Sequence, residues 1–218
     1  MSEIDKNINT TLKLELKERI VTAAMKAFTK AGIKGVTMDD IASDLGISKR
    51  TLYETFKDKE ALLIECVKQQ EKEKEAFGVK MVAESDNVLE VILKFYKVSI
   101  EIYQKIDKRF FEDIKKYPKV NELIKESREK NKCNVIAFLK SGVDQGIFRG
   151  DVNFEIVDIL VREQVEFMLN AEIMGAYSFF EVYESIVITF LRGISTQKGQ
   201  IILEKFITDF RKHREEKI

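Results

Sequence analysis

The chain has 218 residues, in which 37 lysines and arginines balance 37 aspartates and glutamates, with one histidine, two cysteines and one proline. Zero formal charge excludes a polycation that coats nucleic acid over its whole surface, so any basic footprint has to be local. The widely separated Cys66 and Cys133 have neither the density of a disulfide scaffold nor the close pairing of a zinc site.

No stretch approaches the roughly 20 apolar residues of a membrane span, and the N-terminus lacks the apolar run of a signal peptide. The expectation is a cytoplasmic, all-α protein with no membrane contact, built as one large domain or two small ones. Residues 1–11 are polar and are expected to form a mobile arm. Leu16, Ile20, Ala24, Ala27, Phe28 and Ala31 then form one helical stripe, which Gly32 ends.

Thr37 begins the most informative segment. Its hydroxyl can cap a helix from Met38, and Asp40 three positions on completes a capping-box-like pair. Ile41 and Leu45 share one inward face, with the small Ala42 beside them. Gly46 can close that helix in the left-handed conformation, and Ile47 plugs the turn. Ser48 caps a second short helix, anchored by Leu52 and Phe56. Its opposite face carries Lys49, Arg50 and Tyr53 at the N-terminal end, from which a DNA-reading helix-turn-helix contacts its target. Arg50 suits a bidentate contact to guanine, while Lys49, Thr51 and Tyr53 suit phosphates or base edges. Lys59 begins the next helix after the capping Asp58, where free backbone N–H groups and a cation together suit a phosphate. The candidate DNA contacts are thus Thr37, Ser48, Lys49, Arg50, Thr51, Tyr53 and Lys59.

Through Ile41-Ala42, Leu45-Gly46-Ile47-Ser48, Thr51-Leu52-Tyr53, Phe56 and Lys59-Glu60-Ala61-Leu62, the chain resembles the tetracycline-repressor (TetR) family of transcriptional regulators. The resemblance is specific from Ile20 to Leu62 and general beyond. Arg50 departs from it, because the family often has a small residue there, and Glu54 four positions on is placed to hold the longer cation. The resemblance implies an N-terminal DNA-binding domain over 1–57 and an effector-binding and dimerisation domain over 58–218. It also implies a homodimer on a palindromic operator in double-stranded DNA, repression as the usual outcome, and a small-molecule effector.

Beyond Phe56, a helix is expected from Asp58 to about Phe77, and Ser85-Asp86-Asn87 supplies a turn and cap. Val88 to Ile106 carries one broad apolar face, Asp107 opens a shorter piece, and Tyr117-Pro118 separates it from a helix closed by Gly146 and Gly150. Helices over Phe154–Met174 and Ser178–Arg192 are apolar on more than one side, so each must be buried twice. In the resemblance the second burial is against another copy, which makes Ile159, Glu166, Phe179, Tyr183, Ile186, Val187 and Phe190 the candidate interface. A last amphipathic helix holds Ile201 to Phe210.

Phe95, Tyr96, Tyr103, Phe138, Glu163, Phe167 and Met168 are the candidate effector pocket, although aromatic stripes at helical spacing are more often simply core. Glu163 and Glu166 could pair with Arg162 or with a ligand cation, or simply face solvent or the helical interface. An enzyme is not expected: His213 stands alone in a charged tail, with no phosphate loop, metal spacing or activated nucleophile, and no cofactor is implied. The competing expectation is a helical scaffold that no longer reads DNA.

Overall fold

The computed structural model describes residues 3–170 and 176–215, with side-chain surroundings over 10–169 and 176–212. Met174, the expected end of a late helix, and the side chain of His213 lie outside the described residues. Among the described residues the elements are helices: α1 Glu3–Ala31, α2 Met38–Asp44, α3 Lys49–Thr55, α4 Lys59–Ala83 and α5 Val88–Tyr103. They continue with α6 Lys108–Ile114, α7 Pro118–Asp144, α8 Phe154–Asn170, α9 Phe179–Ile194 and α10 Gln197–Glu215. None of them is long and apolar enough to cross a membrane.

Local chemistry accounts for most boundaries. Thr37, Ser48, Asn87, Asp107 and Ser178 all adopt extended backbone and turn a side-chain oxygen to an amide of the first helical turn. Gly32, Gly46 and Gly146 take positive φ just past helix ends. α1 begins at Glu3, so the segment expected as an arm is helical from that residue. α4 runs to Ala83, beyond the expected Phe77, because the cap signal that starts the next element comes only at Asn87.

Two compact units result, Met1–Lys74 with Lys105–Ser127, and Glu75–Gln104 with Arg128–Ile218. In the first, Ile20, Ala24 and Phe28 of α1 share a core with Ile41 of α2, Leu52 of α3, Leu62, Leu63 and Cys66 of α4, Phe110 of α6 and Val120 of α7. The unit holding the helix-turn-helix therefore extends past residue 57, since apolar side chains from α4, α6 and α7 complete its core. Burial pushes the Cys66 thiol up to about 12, so it remains a protonated packing group.

In the second unit, Leu89, Leu93, Tyr96 and Ile100 of α5 pack with Ile136 of α7, Met168 of α8, Ile188 and Leu191 of α9, and Leu203 and Ile207 of α10. The turns after α7 and α9 pair as an isolated antiparallel bridge between Phe148 and Ser195. Arg149 N–H donates to the Ile194 carbonyl at 2.8 Å, and Thr196 N–H to the Ile147 carbonyl at 2.9 Å.

Two glycines offer a test. A Cβ on Gly32, at φ 77°, would stand 2.8 Å from Arg109 Cβ and 3.2 Å from Asp113 Oδ2, whereas one on Gly46, at φ 65°, meets nothing within 4 Å. Gly32→Ala should cost about 2 to 3 kcal/mol and Gly46→Ala about 1 kcal/mol. Equal losses in urea denaturation would show that packing at Gly32 contributes nothing beyond its dihedral.

Candidate nucleic-acid interface

The turn between α1 and α2 sets the position of the helix-turn-helix. Lys34 N–H donates to Asp113 Oδ2 at 2.8 Å, and the Lys59 ammonium donates to the carbonyls of Ile33 at 2.8 Å and Val36 at 2.7 Å. Burial lowers the Lys59 pKa, against the opposing attraction of Asp113 and Asp40. Thr37 then opens α2 with a full capping box: its hydroxyl accepts from Asp40 N–H at 3.1 Å, and Asp40 Oδ2 accepts from Thr37 N–H at 2.8 Å. The Thr37 hydroxyl also donates to Asp40 Oδ2 at 2.6 Å, and this bond first, then that from Thr37 N–H, holds the Asp40 carboxyl below its ordinary pKa. α2 and α3 meet through a turn in which Gly46 N–H donates to Ser43 and Ile47 N–H to Ala42.

α3 is anchored by one face. Leu52 is fully buried and Phe56 nearly so, while Ser48 Oγ accepts from Thr51 N–H at 3.0 Å and lies 2.8 Å from Thr51 Oγ1. The other face presents Lys49, Arg50, Tyr53 and Glu54 to solvent, and Tyr53 keeps 49% of its surface exposed. An anchored helix with an exposed cationic and aromatic face is the arrangement that enters a DNA groove.

Each cation on that face has a carboxylate beside it. Lys49 Nζ pairs with Asp39 of α2, and this hydrogen bond raises the lysine pKa. Arg50 Nε donates to Glu54 Oε1 at 2.8 Å along α3. Glu54 was legible as the partner four residues on, whereas Asp39 was missed because a contact between two helices leaves no short sequence spacing. Lys59, expected to meet phosphate, instead spends two of its donors on the carbonyls of the α1–α2 turn. Thr37 and Ser48 use their side chains as caps, and Thr51 lies at the edge of the exposed face.

The second unit rearranges the other candidates. Tyr96 is buried and stacks on Tyr183 with ring centres 5.5 Å apart, Tyr183 stacks on Phe179 at 5.3 Å, and Phe179 on Tyr103 at 5.6 Å. Expected pocket residues Tyr96 and Tyr103 therefore share one aromatic stack with expected interface residues Phe179 and Tyr183. Burial raises the Tyr183 pKa despite a hydrogen bond with Ser99. Phe95 meets Phe77 edge-on at 5.0 Å, and Phe138 and Val187 are half-buried against the core.

Phe167 is 66% exposed and its neighbour Met168 1%. Both line an open apolar groove of about 670 Å³ with Ile186 and Phe190. Ile156, Ile159 and Leu160 are also exposed on α8. Glu163 is exposed, Glu166 pairs with Arg128 at 3.5 Å, and Arg162 pairs with Asp158 at 2.8 Å.

Residues 20–66 match the family described as bacterial regulatory proteins, tetR family. The chain is 48% identical over 50 residues to the uncharacterized HTH-type transcriptional regulator YerO of Bacillus subtilis, a match covering 23% of this chain and 17% of that protein. It is 26% identical over 148 residues to a second such B. subtilis regulator, YhgD, covering 65% of this chain and 74% of the relative. Its fold is shared with a TetR-family transcriptional regulator from Agrobacterium tumefaciens, with a TM-score of 0.68 at 16% identity over 84% of this chain and 100% of that one.

The α1–α2 turn carries a pH signature. The Lys34 amide first, then Lys116, holds the Asp113 carboxyl below its ordinary value. A depressed folded-state pKa contributes stability above the unfolded value of about 4 and loses it as pH falls through the folded value. Asp113→Asn should therefore be less stable than wild type at pH 7, and the gap should close below about pH 4. A gap independent of pH in urea denaturation would remove the carboxylate charge from the turn's stability.

Proposed function

The chain belongs to the tetR family of bacterial regulatory proteins, and on that premise we propose that it is a DNA-binding transcriptional regulator acting as a homodimer on a palindromic operator. The observation that carries this reading is α3, whose Leu52 and Phe56 are locked in the core while Lys49, Arg50 and Tyr53 stand exposed on the other side. Arg50 suits a base edge; Lys49, Tyr53 and Thr51 suit phosphates and the groove rim. Lys59 supports the turn that places α2, with Thr37 and Ser48 capping the two helices.

One copy of α3 is 7 residues long and offers few contacts. Two copies related by a two-fold axis would reach successive major grooves roughly 34 to 36 Å apart. The exposed Ile156, Ile159, Leu160 and Phe167 of α8, beside Ile186 and Phe190 of α9, form the face that we assign to the second copy. Phe179, Tyr183 and Val187 would act behind it as the core on which that face rests.

Repression, non-enzymatic action and a cytoplasmic location complete the reading. The effector is assigned as a small molecule taken up near the aromatic residues Tyr96, Tyr103, Phe179 and Tyr183, with Phe95, Phe138 and Met168 around them. α4, one continuous helix contributing residues to both units, would carry its effect toward α1 to α3.

Binding of the purified chain to DNA selected from a random pool tests the reading. Arg50→Ala should weaken specific binding by about 1 to 3 kcal/mol, and Lys49→Ala should reduce the salt slope by about 1. Unchanged affinity in both variants would exclude α3 from DNA. Phe167→Asp should shift sedimentation from dimer to monomer and abolish dependence on the second half-site; a dimer that persists would place the interface elsewhere.

A further inference from the structure

The α3 face holds a residue that the DNA-reading assignment does not itself use, Glu54. Its carboxylate accepts a hydrogen bond from Arg50 Nε at 2.8 Å, and both side chains lie in solvent, 88% exposed for Arg50 and 62% for Glu54. A structural pair on an exposed helix is worth little, so its consequence lies in geometry. The guanidinium is a rigid planar fork. With Nε engaged along the helix, its two terminal nitrogens remain as the outward end, the pair of donors that matches guanine O6 and N7.

We propose that Glu54 is a specificity-determining positioning residue: by holding Arg50 Nε, it presents the terminal nitrogens to a guanine edge and restrains Arg50 from wandering to phosphates. The idea rests on the DNA-reading assignment above. It also accounts for a cationic face without a net cationic charge, because the Arg50–Glu54 pair is neutral and attracts phosphate weakly from a distance. Lys49 with Asp39 is a different case. An ammonium is a compact point charge without a fork to orient, so that pair influences affinity without selecting a base.

The test is selection from random double-stranded DNA by the full chain, followed by titration of the selected site and of a scrambled duplex. Wild type should enrich a motif containing a guanine whose preference disappears in Arg50→Ala. Glu54→Ala should weaken that same preference, lowering the ratio of specific to scrambled affinity about two- to fivefold, while scrambled-duplex affinity stays equal or rises as a negative charge leaves the face. Glu54→Gln, which keeps an acceptor for Nε, should retain the preference. Asp39→Ala should strengthen binding to all sequences alike.

If wild type enriches no motif, the DNA-reading assignment itself fails. If wild type and Arg50→Ala behave as stated but Glu54→Ala keeps the full guanine preference, or weakens selected and scrambled duplexes equally, the positioning role is overturned and the assignment stands. Thermal melts by circular dichroism should agree among the Glu54 variants. A lower melting point in Glu54→Ala that accompanies an equal loss on both duplexes would reduce Glu54 to a helix-stabilising residue.

Discussion

The short turn between α1 and α2 must satisfy peptide groups that no helix can pair, and the geometry of the reading head depends on how it does so. Gly32 leaves α1 at positive φ, Asp113 of α6 takes the Lys34 amide, and Lys59 at the start of α4 gives two protons to the carbonyls of Ile33 and Val36. Thr37 follows at once as the cap of α2. α4 and α6, distant in sequence, are thereby tied to one turn, and α2 and α3 inherit their placement from it. Asp107 N–H, bonded to the Thr29 carbonyl at 2.8 Å, adds another tie between the end of α1 and the start of α6.

On that platform the chain solves an electrostatic problem. A groove-reading surface needs cations, yet unpaired cations bind any phosphate backbone. The zero net charge of the whole chain is repeated locally on α3, where Lys49 and Arg50 each lie against a carboxylate. On the proposed reading, such pairing would mute long-range attraction and leave more of the discrimination to short-range chemistry at the base edges.

The second unit follows the same logic of two-faced helices in apolar form. Met168 and Phe167, adjacent on α8, differ in exposure, 1% against 66%, though both line the groove, and on α9 the rings of Phe179 and Tyr183 enter the aromatic stack while Ile186 and Phe190 line that groove. A helix turns about 100° per residue, so an element apolar on most sides necessarily presents one set inward and another outward. The inward set builds a stiff aromatic core; the outward set is surface that a soluble protein seldom leaves uncovered.

The helix boundaries were legible because their causes are local: Thr37, Ser48, Asn87, Asp107 and Ser178 as caps, Gly32 and Gly46 as terminators, Pro118 as an opener. The exposed set on α3 was legible too, since Leu52 and Phe56 determine which face is free. The inward bonds of Lys59, the Asp39–Lys49 pair, and the exposure of Phe167 against the burial of Met168 were not. Sequence by itself determined the all-helical plan, the helix-turn-helix and the exposed face of its second helix, because capping, glycine geometry and helical periodicity act within a few residues. Only the tertiary structure decided that α6 belongs to the DNA-reading unit, that Lys59 supports a turn, and which side of α8 and α9 meets the core. Those outcomes depend on contacts between segments dozens of residues apart, where packing and hydrogen-bond satisfaction select among faces that the periodicity leaves equally apolar.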